Sequence, residues 1–447
     1  MKLRLSALAE RLKSSLFFIP MIAVFFATAL GFVSLAIDRN IDVVAADLPF
    51  GVTSTVESAR TLLGVVAGAT ISFAGIAFSV SLLMIQLASS QYSPRVVHTM
   101  FRDPFNKRVM ALVVGTFTYC VVVLRSIRSA LDSGGTPVIP NLSVAVAVVL
   151  GIATILAIVA FINHSAHSMD VSEILQRIHR EATEQIRAEW TPADLTPADL
   201  TTDRRSLPDT TASVSSTVIR FDRSGWVQQI DIEALVDCVP DGVLLTVETY
   251  AGRFAIEGTR FCSVSPSISD QNRGAIERAV LAAVLIGDTR TMQQDVSYGL
   301  RQLADVAVKA LSPGINDPTT AQDAIFHAAA VLSVFLRHDP PAAVRTDGAI
   351  TIVMAEQPTH DELIHLAFDE TRRAAAEHPT VCGYLLVAIS SIVESLEAAS
   401  LAERTIALRR QANLIVDGCG ATGLLDEDIE TVRKTYRDKF AGGSSCW

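Results

Sequence analysis

The stretch GVVAGATISFAGIAFSVSLLMIQLASS, residues 64–90, holds no charged side chain. A helix needs roughly 20 apolar residues to cross a hydrocarbon core, and the run over 61–88 meets that length. The segment therefore places the chain among helical membrane proteins. It is not evenly apolar. At about 100° per residue, Gly64, Gly68, Ser72, Gly75, Ser79, Gln86 and Ser90 fall on one side, interrupted only by Leu82. Phe73, Ala77, Val80 and Met84 fall opposite. Two readings fit this spacing. Small residues let helix backbones approach, and Ser and Gln hydrogen-bond between helices. Alternatively the stripe lines the axis of an oligomer, with Leu82 as an apolar constriction that gates by dewetting. Gly68, Ser72, Gly75, Ser79, Leu82 and Gln86 are candidates under both.

Three more apolar runs flank this one, at 16–37, 109–127 and 142–162. The first has basic residues before it and a small-residue ATA at 27–29, like a cleavable signal. Its apolar run continues to Ile37, which reads as an anchor. Lys2, Arg4, Arg11 and Lys13 precede the first run, and Arg95, Arg102, Lys107 and Arg108 follow the second. The loop after the first run carries Asp38, Asp42, Asp47 and Glu57 against Arg39 and Arg60. The positive-inside rule then puts both termini in the cytoplasm. Arg125 and Arg128 close the third run and snorkel to headgroups, with Asp132 in reach of Arg128. His164, His167 and Asp170 share a helical face after the fourth run, which reads as interfacial polarity rather than a metal site.

The whole chain agrees with a membrane part joined to a soluble part. It has 447 residues, 50% hydrophobic and 19% charged, with mean hydropathy +0.37. Residues 1–163 carry 12 Lys and Arg against 7 Asp and Glu, whereas 164–447 carry 25 against 40. A soluble half this acidic argues against nucleic acid as a partner. Six cysteines lie far apart without a CxxC pair, which disfavours zinc and fits a reducing compartment.

We expect a transmembrane four-helix domain at 1–165, a helical stalk and polar linker at 166–213, a small β subdomain at 214–265 and a cytoplasmic helical domain at 266–447. The tandem TPADLTPADL (191–200) belongs to the linker. SSTVIRF and VLLTVETY have strand composition. The glycines at 225, 252 and 258 loosely resemble those of barrel-sandwich modules that carry biotin or lipoate, but no lysine occupies the hairpin. From about 270 the chain reads helical to its end, with AITIVM (349–354) as a lone strand. The fold class is thus α-helical membrane protein with a cytoplasmic α+β domain, a β-barrel or sandwich followed by a helical bundle.

The densest turn signal is ALSPGINDPTTAQDA, 310–324. Pro313 and Gly314 stop one helix, with glycine accepting left-handed dihedrals. Asp317 suits the N-cap of the next and Pro318 its first turn. A helix corner explains this. A ligand-binding or subunit-contacting loop is the other reading, because Asp288, Arg290, Asp295 and Arg301 lie just upstream. Arg290, Asp295, Arg301, Asn316 and Asp317 are its candidate residues.

The segments LASSQYSPRVV (87–97), GTFTYCVVVLRSIR (115–128), FINH (161–164) and DVSYGLRQLADVAVKALSPGINDPTTA (295–321) resemble a widespread bacterial family of predicted membrane proteins of unknown function. The resemblance covers nearly the whole chain. It implies four N-terminal spans, a cytoplasmic C-terminal domain and a place in the bacterial inner membrane, but no activity or catalytic residues. FINHSAH departs from the paired histidines of that family, which further disfavours metal. No HExxH, GxSxG or P-loop occurs, so no enzymatic activity and no cofactor are expected. The expected function is an oligomeric channel or conduit, a homo-oligomer in the lipid bilayer, its ion or small-molecule substrate left open. The alternative is a membrane-anchored sensor or scaffold that binds a small ligand or protein partner.

Overall fold

The computed structural model describes residues 18–41, 55–91, 104–127, 140–168, 170–194, 216–268, 270–347 and 350–441. The chain divides into two compact units, which among the described residues are 18–170 and 171–441.

The N-terminal unit contains α1 (Phe18–Ile41), α2 (Val56–Gln91), α3 (Pro104–Leu124) and α4 (Asn141–Ser168). All are long and apolar enough to cross a bilayer. The hub is α3, which packs on each of the other three and is the most buried of them. Its small residues permit this. Gly115 faces α1 so closely that an added Cβ would already lie 3.7 Å from the Ala23 carbonyl and 3.8 Å from the Ala27 methyl. Thr116 bonds Thr154 across to α4 at 3.0 Å. The helices alternate in direction: the end of α1 and the start of α4 meet at Asp38 and Ser143, and Arg60 at the start of α2 donates to the Ile127 carbonyl past α3.

The helices outrun the expected apolar segments. Asp38, Arg39, Glu57 and Arg60, expected in a loop, lie in α1 and α2. Asp38 is buried. Lys107 and Arg108, also expected in a loop, lie in α3, and Lys107 is buried. The other loop charges used for orientation, His167's side chain, Arg128, Asp132 and most of the TPADL repeat lie outside the described residues.

In the C-terminal unit, α5 (Val171–Glu189) is not a free stalk. Ile174, Leu175, Ile178, Ala182 and Ile186 recur at helical spacing, and that buried face packs on α8 (Ser297–Ala310) and α9 (Pro318–Leu336). Trp190 follows, buried edge-on against Phe335. A two-residue bridge pairs β1 (Thr191–Pro192) with β8 (His338–Asp339).

The β region is larger than 214–265. A five-stranded sheet runs β2 (Thr217–Arg220), β6 (Arg260–Ser265), β4 (Leu244–Val247), β10 (Ile350–Val353) and β9 (Val344–Asp347). A three-stranded sheet runs β5 (Phe254–Ala255), β3 (Gly225–Ile230) and β7 (Val284–Gly287). The lone strand expected at 349–354 is thus paired on both edges, parallel to β4 and antiparallel to β9. A short apolar run inside the fold cannot leave its backbone groups unpaired. Both sheets feed one core, with Ile219, Leu245, Phe261 and Ile352 from the larger and Val227, Ile230 and Ile286 from the smaller. Two short helices border it, α6 (Ile232–Cys238), capped by Asp231, and α7 (Asp270–Ala282).

The rest is helical: α10 (His360–Ala375), α11 (Pro379–Ala398), α12 (Ile406–Gly420) and α13 (Asp426–Tyr436). A capping box at Thr359 and Glu362 starts α10. By length and hydropathy α9 and α11 also qualify as spans, yet half of each is buried within this unit, against each other and their neighbours.

Candidate functional site

The stripe on α2 faces away from its own unit. Gly64, Gly68, Ser72, Gly75, Ser79 and Gln86 are all exposed, and Leu82 is 47% exposed. A Cβ added at Gly64, Gly68 or Gly75 would meet no described atom within 4 Å. The opposite face does the packing: Ala77 is buried with Val109, Val113 and Phe161, and Phe73 stands edge-on to Phe161. Close packing within the chain therefore does not explain the stripe among the described residues. Ser79 turns its hydroxyl back onto the Gly75 carbonyl at 3.0 Å. Large apolar side chains flank the stripe outside, including Leu62, Ile71, Ile76, Phe78 and Leu83.

A second polar group was missed in the sequence because Asp38 counted only as a loop charge. Its carboxylate accepts the Leu142 and Ser143 amides at 2.9 Å each, so it caps the start of α4 from another helix. The Ser143 hydroxyl donates to it as well. Ser34, Tyr119 and Ser143 continue the network, with Ser34 to Tyr119 at 3.0 Å and the Tyr119 hydroxyl donating to the Ser143 carbonyl. Near the opposite end the His164 ring lies against Phe105, tilted at 51° with centroids 4.6 Å apart. No group of three metal-binding side chains occurs among the described residues.

The five candidates of the C-terminal unit do not form one site. Arg290 and Asp295 sit before α8, Asn316 and Asp317 after it, and this 14-residue helix is about 20 Å long. Arg290 lies between the rings of Trp226 and Tyr298, 5.3 and 4.9 Å from their centroids. Its Nε donates to Asp295 at 2.8 Å, and Ser297 donates to the other carboxylate oxygen at 2.7 Å. Asp295 is buried against Gly252, whose φ of +97° no side chain favours. Burial pushes the Asp295 carboxyl up, while Arg290 and Ser297 pull it down. The cluster ties the paired strands β3 and β5 to the start of α8. Arg301 instead forks onto Glu370 at 2.8 and 2.9 Å and pairs with Asp305, linking α8 to α10.

At the corner the left-handed residue is Asn316, φ +50°, rather than Gly314. The Asp317 amide closes the loop on the Ala310 carbonyl at 2.8 Å. Asp317 caps α9 by accepting the Thr319 and Thr320 amides at 3.1 Å. The Thr320 hydroxyl holds its carboxyl below the usual range. The cap therefore contributes fully above the ordinary carboxylate pKa and fades as pH falls through the lowered value. Asp317→Ala should cost about 1 kcal/mol and Asp317→Asn much less, read from chemical denaturation. A loss of activity or assembly in both, with stability kept, would make the loop a site. The corner borders an open cleft of about 260 Å³ lined by Thr319, His378, Thr380 and Tyr384.

Residues 13–391 match the family described as predicted membrane protein, DUF2254. The chain belongs to this family. Similar proteins are the uncharacterized proteins Rv1290c and MT1328 of Mycobacterium tuberculosis and Mb1321c of Mycobacterium bovis. Each is 28% identical over 362 residues, which cover 80% of this chain and 67% of the relative. No solved structure matches. The DUF2254 match takes in the stripe, the Asp38 network, the Arg290 cluster and the corner, and it ends within α11.

Proposed function

We propose that the chain forms an oligomeric inner-membrane channel or conduit in which α1–α4 span the bilayer and α2 faces the symmetry axis. The C-terminal unit lies in the cytoplasm and assembles or gates it. One observation carries this reading: the Gly and Ser stripe of α2 is exposed while its apolar face packs inward. Ser79 bonds its own helix, but lipid gives an exposed glutamine amide such as that of Gln86 nothing to bond, whereas a neighbouring copy or a water column does. The solute is an ion or small molecule, and no catalytic step is assigned. Purified protein should sediment as a homo-oligomer and pass ions in liposomes; a monodisperse monomer without flux would end this reading.

The alternating direction of the four helices supports placing both termini on one side. A cysteine at Thr53, in a chain otherwise freed of cysteine, should react with an impermeant maleimide from outside intact cells. One at Ser444 should not. The reverse pattern would invert the orientation. The cleft beside Asp317 supports the second reading, a membrane-anchored sensor or scaffold that binds a ligand or protein there.

A further inference from the structure

We propose that the tip built from residues 220–226 and 253–260 docks on an anionic lipid surface. The two segments are held together. Gly225 and Trp226 pair with Ala255 and Phe254, and the Gly258 amide donates to the Phe221 carbonyl at 2.9 Å. Arg220 donates to the Gly258 carbonyl at 2.8 Å, and the Glu257 amide to the Ser224 hydroxyl at 2.9 Å. On this frame Phe254 and Ile256 stand 53% and 57% exposed. Phe254 rests edge-on against Trp226, so it is braced outward rather than folded back.

Charge decides what covers them. The two segments hold Arg220, Arg223, Arg253 and Arg260 against Asp222 and Glu257, and all six are exposed. The surrounding residues 164–447 carry 25 basic against 40 acidic side chains, so the tip reverses the local sign. Glu248 reaches Arg260 only at 3.9 Å and leaves it 59% exposed. Paired apolar side chains that enter the headgroup boundary, ringed by arginines that bond phosphate, suit a surface of anionic phospholipid. An acidic bilayer repels the rest of the unit, so contact through this tip also orients it. The unit is kept near a bilayer by its chain, since only two residues separate α4 from α5. The proposal does not depend on conduction.

The test uses the full chain in nanodiscs of phosphatidylcholine, mixed with sucrose-loaded vesicles of phosphatidylcholine alone or blended with phosphatidylglycerol. Co-sedimentation should be at least about tenfold stronger with the anionic blend. Phe254→Ser with Ile256→Ser, and separately Arg223→Gln with Arg253→Gln, should each lower it about tenfold. Circular dichroism melts check the fold of both variants, and Arg223→Gln alone supplies a milder change if either melts early. Equal sedimentation with both vesicles would overturn the proposal, as would variants that bind like wild type. So would nanodiscs that clump without vesicles through these residues, or polyglutamate that binds the tip while lipid does not.

Discussion

Replacing Leu82 with serine is expected to raise ion flux through the reconstituted protein by at least about tenfold, the equivalent of about 1.4 kcal/mol off a barrier. Leu82 is the one large apolar side chain in a row of Gly, Ser and Gln, and it is 47% exposed. A hydrophobic ring at a narrow point expels water, and a hydroxyl restores it. The companion substitution is Gly75→Leu. A Cβ there would meet no described atom within 4 Å, and the position is exposed, so the single chain should fold as before. Its neighbour in an oligomer would be pushed away, and light scattering should show smaller particles. Serine at 82 should leave particle size unchanged. If wild type and Leu82→Ser both form intact oligomers and neither conducts under several salts and voltages, the channel reading fails and the anchored sensor takes its place.

Asp295→Ala should destabilise the C-terminal unit by about 3 kcal/mol, near the lower end for breaking a buried pair because Arg290 keeps some access to water. The substitution leaves a guanidinium between Trp226 and Tyr298 without its counter-charge, and it strips Ser297 of its acceptor. Asp295→Asn keeps one acceptor oxygen and the shape against Gly252, and should cost less. Arg290→Lys tests the stacking, since an ammonium cannot lie flat between two rings or fork onto a carboxylate. Denaturant titration of the full chain, followed by near-ultraviolet ellipticity of the buried aromatics, separates these. A loss below about 1 kcal/mol for Asp295→Ala would put the pair among ordinary surface ion pairs.

Length and hydropathy made the helices of the N-terminal unit legible, because nothing else needs twenty apolar residues in a row. The corner at 311–318 was legible for a local reason: Asp317 and Pro318 do their work within one turn. The error there was also local, since asparagine tolerates the left-handed region and took the place expected of Gly314. What could not be read was pairing across distance. Ile350–Val353 finds β4 a hundred residues earlier, and no pattern inside four residues announces that. Asp38 counted as a loop charge because its partners, Leu142 and Ser143, are equally remote. Adjacency in sequence grouped Arg290 and Asp295 with Asn316 and Asp317, whereas the whole of α8 separates them.

Asp38 also sets a clock. Its acceptor oxygens wait for amides made 104 and 105 residues later. At about 5–20 residues per second, the carboxylate spends roughly 5–20 s of synthesis without them. During that interval the first helix has an ionisable group at its far end and no donor from the fourth. Until residue 124 is made, the first two helices also lack the complete third, which is their common packing partner. A chain that ends before residue 141 therefore lacks the amides that latch Asp38, and only the completed α4 closes the bundle at that end.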